Sequence, residues 1–211
     1  MKTLPIAACA ILFVTPLLGL SQSDVSCGQA LSAVLRSGAV LAIDSRPAGL
    51  EIVGTDQETI HVSCTADDMQ SARDIHIRFS GTPDHAKLTI TGPFMKNGNL
   101  SIRIEVPQRT NLGVQMSAGQ VKVEEVKGNK DIEIHAGQIS ISSDHKWDYK
   151  KIDASVAIGQ VNAQIYGTDT GGFFRSFHKE NSDGEYHLRA HVTTGQIDLL
   201  GKHAGTSTDP Q

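Results

Sequence analysis

The chain has 211 residues, 19 basic against 23 acidic, a net charge of −4, and only 5% aromatic side chains. The two signs of charge are interspersed and no basic run occurs, so nothing argues for nucleic acid or an anionic lipid surface as a partner. There is no P-loop, no dinucleotide fingerprint and no Gly-x-Ser-x-Gly elbow, and the composition implies no cofactor.

In chain order, Met1 and Lys2 precede an apolar run from Leu4 to Leu20, with small residues at Gly19 and Ser21. This predicts a secretory signal peptide over residues 1–21. Pro5 and Pro16 interrupt the run and no stop-transfer flank follows, so the cleaved chain is not expected to span a membrane. Cys9 superficially fits a lipoprotein box, but the apolar run continues past it, which argues against lipidation. Without Lys2 the net charge becomes −5. Residues 24–202 are the size of one domain, and the polar tail 203–211 is expected to be disordered.

Cys27 and Cys64 remain as an even pair in an oxidising compartment, which predicts a disulfide. The alternative is one exposed thiol and one buried in a strand, since Ile60, Val62 and Cys64 share a face. Strand-like alternation runs over Leu31–Arg36, Val40–Asp44, Leu50–Val53 and Thr59–Cys64. Turns separate these at Ser37-Gly38, Pro47-Ala48-Gly49 and Thr55-Asp56. Ala66–Arg73 reads as a helical turn or loop. Ile75–Phe79, Leu88–Ile90 and Leu100–Val106 alternate again, with turns at Gly81–Asp84 and Gly92–Asn99.

From Leu112 onward the chain writes one phrase four times, a small residue, Gly, Gln, then an alternating strand, with the pairs Gly119-Gln120, Gly137-Gln138, Gly159-Gln160 and Gly195-Gln196. Apolar residues precede each Gly at odd offsets and follow it at even ones. Met116, Ile134, Val156 and Val192 stand three before it; Val121, Ile139, Val161 and Ile197 stand two after it. Only Lys130 breaks the column seven before the Gly. A straight strand would send the two sets to opposite faces, so the chain must turn at the Gly, which alone takes positive φ freely. The glycine spacings of 18, 22 and 36 suit coils of a β-solenoid or β-helix-like stack. The alternative all-β architecture is an antiparallel β-sandwich. With Ala48 in the Gly position, Leu41, Ile43, Leu50 and Ile52 fall on the same offsets and suggest a degenerate fifth coil. Geometry does not require the glutamines, and stacked coils predict an amide ladder along Gln120, Gln138, Gln160 and Gln196.

The signal peptide, the strand pair Leu41-Ala42-Ile43-Asp44-Ser45 and Gly49-Leu50-Glu51-Ile52-Val53-Gly54-Thr55-Asp56, the strand Ile102-Arg103-Ile104-Glu105-Val106-Pro107 and the Gly-containing repeats together resemble the bacterial putative-adhesin family. The match covers most of residues 35–201. The resemblance implies an exported β-rich domain with an adhesive or envelope role, and it brings no catalytic residues.

Candidate chemistry is sparse. Asp169-Thr170-Gly171 matches half of an aspartic-protease signature, but no second copy supplies the other carboxylate. His187 and His191, with His135 and His76, alternate with inward apolar residues and are expected on the outer face, so no metal site is predicted. Glu124, Glu125, Glu133 and Asp153 with Lys122, Lys150 and Lys151 could line the groove of a polysaccharide-acting β-helix enzyme, although outer-face charge is the ordinary expectation. No enzyme is predicted. Trp147, Tyr149, Tyr166, Phe173, Phe174, Phe177 and Tyr186 concentrate around the irregular stretch Tyr166–Glu185. They either cap an end of the array or, with Phe173, Phe174 and Phe177 exposed around Arg175, form a partner patch. The sequence thus points to a periplasmic, secreted or cell-surface protein acting by contact, with an envelope protein or cell-surface glycan as partner. A periplasmic scaffold or sensor-associated domain is the second reading.

Overall fold

In the computed structural model, residues 21–46, 48–93, 100–143 and 148–201 are described; the signal-peptide prediction for residues 1–20, Trp147 and the tail from 202 lie outside them. Gly119, Gly137, Gly159 and Gly195 take φ of 124°, 140°, 140° and 144°, and the parity of burial switches across each of them. In β9 (Asn111–Glu124), Leu112, Val114 and Met116 are buried before Gly119 and Val121 and Val123 after it. The same bend divides β10 (Lys130–Ser143), β11 (Tyr149–Ala163) and β13 (Tyr186–Gly201). Each bent strand therefore contributes one arm to a first layer and one to a second, with the apolar core between the arms.

Eight shorter strands supply the same two arms in pairs. These are β1 (Ser21–Ser26) with β2 (Leu31–Val34), β3 (Val40–Ser45) with β4 (Ala48–Thr55), β5 (Thr59–Ala66) with β6 (His76–Gly81), and β7 (His85–Thr91) with β8 (Leu100–Pro107). The first layer runs β1-β6-β7-β3 and then through the bent strands β9-β10-β13-β11, ending on β12 (Thr168–Glu180). The second layer runs β2-β5-β8-β4 into the same bent strands. The fold is all-β, in one mixed sheet that does not close. A short helical turn, Met69–Ala72, links β5 to β6, and no helix of the described residues is long and apolar enough to cross a membrane.

The register sets Gly119 beside Gly137, Gly137 beside Gly195 and Gly195 beside Gly159, all in parallel pairs. Spatial order therefore departs from chain order, because the fourth copy inserts between the second and third. β3 and β4 continue the stack: Leu41 pairs with Leu112, Ile43 with Val114, Ala48 with Gly119, Leu50 with Val121 and Ile52 with Val123. Close packing explains why Ala is accepted only there. A Cβ on Gly137 would lie 1.8 Å from the Gly119 carbonyl oxygen, one on Gly195 equally close to that of Gly137, and one on Gly119 2.0 Å from that of Ala48. Each corner thus rests against the next corner towards β4. Ala48 ends that series on the β3–β4 rung.

Two stretches differ from the sequence expectation. Ser21–Ser26 pairs antiparallel with β6, although its residues are mostly polar. Within Tyr166–Glu185, the chain makes a 3-10 turn at Gln164–Tyr166 and then β12, antiparallel to β11 over Lys151–Ala163. It escapes an alternation search because its middle is exposed on both sides and it bends at Gly172 (φ 123°) and Phe174 (φ 50°).

The Cys27–Cys64 disulfide joins the β1–β2 turn to β5 across a sequence separation of 37, a loop for which the chain-entropy effect is roughly 3 to 4 kcal/mol. Lys130, the break in the apolar column, is 2% exposed. Its ammonium donates to the Val126 and Gly128 carbonyls at 2.8 and 3.1 Å and lies 4.9 Å from the Tyr149 ring centre. It thereby ties the β9–β10 return to the core. Burial lowers its pKa from 10.5 to about 7, partly offset by the Asp148 charge.

Gly137→Ala is expected to cost about 3 kcal/mol or more, because the backbone carbonyl cannot yield and φ is positive. Gly113→Ala, with nothing within 4 Å of the new methyl, should stay within about 0.5 kcal/mol of wild type; urea unfolding measures both, and equal effects would contradict the corner packing. The depressed Lys130 pKa means that the unfolded chain holds this proton more tightly between pH 7 and 10.5. Stability should therefore rise with pH through that window, by up to about 5 kcal/mol, and fall as pH drops towards 7. Lys130→Met should flatten that rise in unfolding curves taken at neutral and alkaline pH.

Candidate functional site

At each bend the residues before the Gly and the Gln after it turn outward, while the positions three before and two after turn in. Stacking the bends in register makes a crease across the outside of the array. A shallow groove of about 760 Å³ follows it, lined by Gly119, Gln120, Gly137, Gln138, Gly195, Gln196, Gly159 and Gln160 and ending at Gly171 and Gly172 of β12.

The register sets the glutamines side by side in the order Gln120, Gln138, Gln196, Gln160. Neighbours of this kind stand about 4.8 Å apart along the stack. Their side chains do not form the expected amide-to-amide ladder. Gln138 Nε2 donates to Asp198 Oδ2 at 2.6 Å, and Gln196 Nε2 and Asn162 Nδ2 donate to Asp198 Oδ1 at 2.7 and 3.2 Å. Gln160 Nε2 donates to Asp169 Oδ1 at 2.6 Å. The physical reason is that a carboxylate accepts more strongly than an amide carbonyl, and Asp198 and Asp169 stand two residues along the same outer face. Asp198 is only 6% exposed, and three amide donors replace its water. Asp169, the first residue of the protease-like tripeptide, is thus an anchor for Gln160.

β12 forms the last rung. Its inward positions carry Phe177, paired with Ala154, together with Arg175 and Lys179, paired with Val156 and Ile152. Phe177 stacks on Tyr166 with ring centres 5.3 Å apart, and Lys179 Nζ lies 5.2 Å from the Tyr166 ring centre. Burial and the Asp148 charge push the Tyr166 hydroxyl up to about 12. Arg175 Nε donates to the Gly171 carbonyl at 2.8 Å, folding the guanidinium over the corner. The aromatic residues therefore divide. Phe177 and Tyr166 cap the core and Tyr149 is buried in it, whereas Phe173 and Phe174 are 70% and 84% exposed. Ile158, the register partner of Phe173, is 50% exposed. The sequence grouped Phe173, Phe174 and Phe177 but carried no signal for Ile158, which takes the place held by Ala118, Ala136 and Thr194 in the other copies.

The remaining candidates are spread over both outer faces. On the second layer, Arg103 bridges Glu51 and Glu105, and Lys122 bridges Glu51 and Glu124; the Arg103 guanidinium holds the Glu51 carboxyl below its usual range. On the first, Lys151 and His178 pair with Asp153, Arg189 pairs with Asp131, and His191 Nδ1 meets Ser155 Oγ at 2.9 Å. His178 and then Lys151 lower the Asp153 pKa. Glu124 and Lys122 thus stand on a different face from Glu133, Asp153 and Lys151, and the enzyme-like set does not converge. Among the described residues, no three His, Cys, Asp or Glu gather to hold a metal ion.

Comparison with known proteins bears on the fold. No family model matches the chain, and no curated protein matches it. A solved structure of a putative cell adhesion protein from Clostridium sporogenes is similar, with 12% identity and a TM-score of 0.53, covering 82% of this chain and 99% of that one. A putative adhesin structure from Parabacteroides distasonis aligns over 86% of this chain and 97% of that one at 7% identity, with a TM-score of 0.23, too low to read a common fold from. At these identities, the first similarity speaks for shared architecture alone.

Proposed function

We propose that this is an exported, non-catalytic β-repeat protein that acts by surface contact in the cell envelope or outside the cell, in the manner of an adhesin. The observation that carries the reading is the exposed apolar cluster of Phe173 and Phe174 on the outermost rung and Ile158 on the rung beside it. Solvated aromatic pairs of this kind mark interfaces, and each ring contributes about 2 kcal/mol when a partner covers it. The adhesion-protein description of the Clostridium sporogenes structure, the signal-peptide pattern in residues 1–21 and the Cys27–Cys64 bridge support export of a single domain over residues 24–202. In-register parallel pairing of the five corner-bearing rungs supports the solenoid-like reading of the fold over an antiparallel sandwich.

The second reading is a periplasmic scaffold that takes another envelope protein onto the free edge of β12. Arg175 and Lys179 weigh against it, because charges at inward positions of an edge strand oppose the addition of a further strand. Contact through the side chains of the cluster fits that edge better.

Phe173→Ser/Phe174→Ser is the direct test. Both rings are exposed, so thermal unfolding should be unchanged, while retention of the purified domain on envelope fractions and cell-wall glycan arrays should fall at least tenfold. Retention equal to wild type would remove the cluster from the function.

A further inference from the structure

We propose that the Gly-Gln crease is a binding groove for an extended, neutral, β-linked glycan, with successive sugars lying across successive rungs. The inference rests on the surface-contact reading and gives that contact a ligand class at a second site beside the exposed phenylalanines.

The groove presents amide side chains and glycine backbone, and the charges at its β12 end, Asp169 and Arg175, are each engaged, by Gln160 and by the Gly171 carbonyl. Three of the four glutamines are already oriented. Their Nε2 groups point at Asp198 and Asp169, which leaves each Oε1 held in a fixed direction as an acceptor. Gln120 has no side-chain partner among the described residues and is exposed, so its amide is open to donate as well. Fixed, uncharged acceptors in a row suit hydroxyl groups, since little side-chain entropy remains to be lost on binding. A phosphate-bearing polymer is disfavoured by the carboxylate of Asp198 behind the amides and by that of Asp169 beside Gln160.

Spacing separates the remaining candidates. Amides on adjacent rungs repeat at about 4.8 Å. An extended peptide laid along the crease would present same-face side chains every ~6.7 Å, out of step after one rung. In an extended β-1,4-linked glycan the rise per sugar is close to the rung spacing and alternate sugars turn over, so one hydroxyl edge returns at every second amide and the opposite edge meets those between. The glycines give the groove a closed floor of backbone, because the next rung's carbonyl fills each Cβ position. Phe173 follows Gly172 at the far end and is exposed, so an aromatic side chain stands next to the last sugar position.

The test is a titration of the intact protein with β-1,4-linked glucose and N-acetylglucosamine oligomers of increasing length. Calorimetry measures affinity, and the side-chain amide NMR signals of the four glutamines report location. Affinity should rise with each added sugar until the rungs are filled, with shifts at all four amides, and an α-linked glucose hexamer, which curls, should bind at least tenfold more weakly. Gln120→Ala/Gln160→Ala leaves the buried Asp198 with its three donors, so it should fold normally and lose at least tenfold in hexamer affinity. If no hexamer shifts the amides while envelope retention still depends on Phe173 and Phe174, the glycan assignment is overturned and surface contact stands. If envelope retention is also absent, both fall.

Discussion

Every level of this structure depends on the contact between a missing Cβ and a neighbouring carbonyl. At Gly137 the space for a side chain is already filled by the Gly119 oxygen, so the rungs approach to strand spacing at the bend as well as along the arms. That approach keeps the hydrogen-bond ladder continuous around a corner, where an ordinary sheet would split into two. Continuity in turn fixes register, because a one-residue slip on any rung would place a Cβ against a carbonyl and turn a whole apolar arm to solvent. The two-layer core is the result. Leu112, Val114 and Met116 from one arm meet Val121 and Val123 from the other because the bend reverses their parity.

Polar residues inside this frame follow one rule: each is surrounded by fixed partners. Lys130 enters the core column only because the β9–β10 return offers two carbonyls and Tyr149 offers a ring face. Burial still lowers its pKa, because two carbonyls and a ring face replace water incompletely. Asp198 has the opposite charge and the opposite location, on the outer side of the second layer, and three amides enclose it. The first is an internal tie and the second organises a surface. The amide row is rigid because its carboxylate lies behind it.

Much of the architecture was legible in the sequence where stacking imposes identity on side chains. Leu41, Ile43, Ala48, Leu50 and Ile52 could be aligned with the later copies because the core demands apolar residues at those offsets, and each pairs with its counterpart. The position of β13 between β10 and β11 was not legible: four equivalent rungs have interchangeable faces, and only the long path through β12 decides which pair accepts the last copy. β12 itself was hidden, since a strand that packs few side chains has no reason to alternate. In the candidate site, the exposed phenylalanines could be picked out by their clustering. Asp198 could not, because alternation assigns it to the outside and nothing local announces that Gln138 and Asn162, from two other rungs, will cover it.

An open stack must also end, and its two ends are treated differently. At the β1–β2 end the outer strand is short and mostly polar, and the Cys27–Cys64 bridge fastens it to β5. At the β12 end no covalent tie is present among the described residues; Phe177 on Tyr166 closes the core, and Arg175 and Lys179 occupy the inward columns. A cap of that kind satisfies the last core layer without offering a template for a further strand. It also releases the outward positions from packing duties. Exposed aromatic groups placed in the middle of the array would stand beside neighbouring rungs on both sides, whereas at the last rung they project past the edge and reach a partner unhindered. Phe173 and Phe174 occupy the one rung where capping and contact make compatible demands on the same strand.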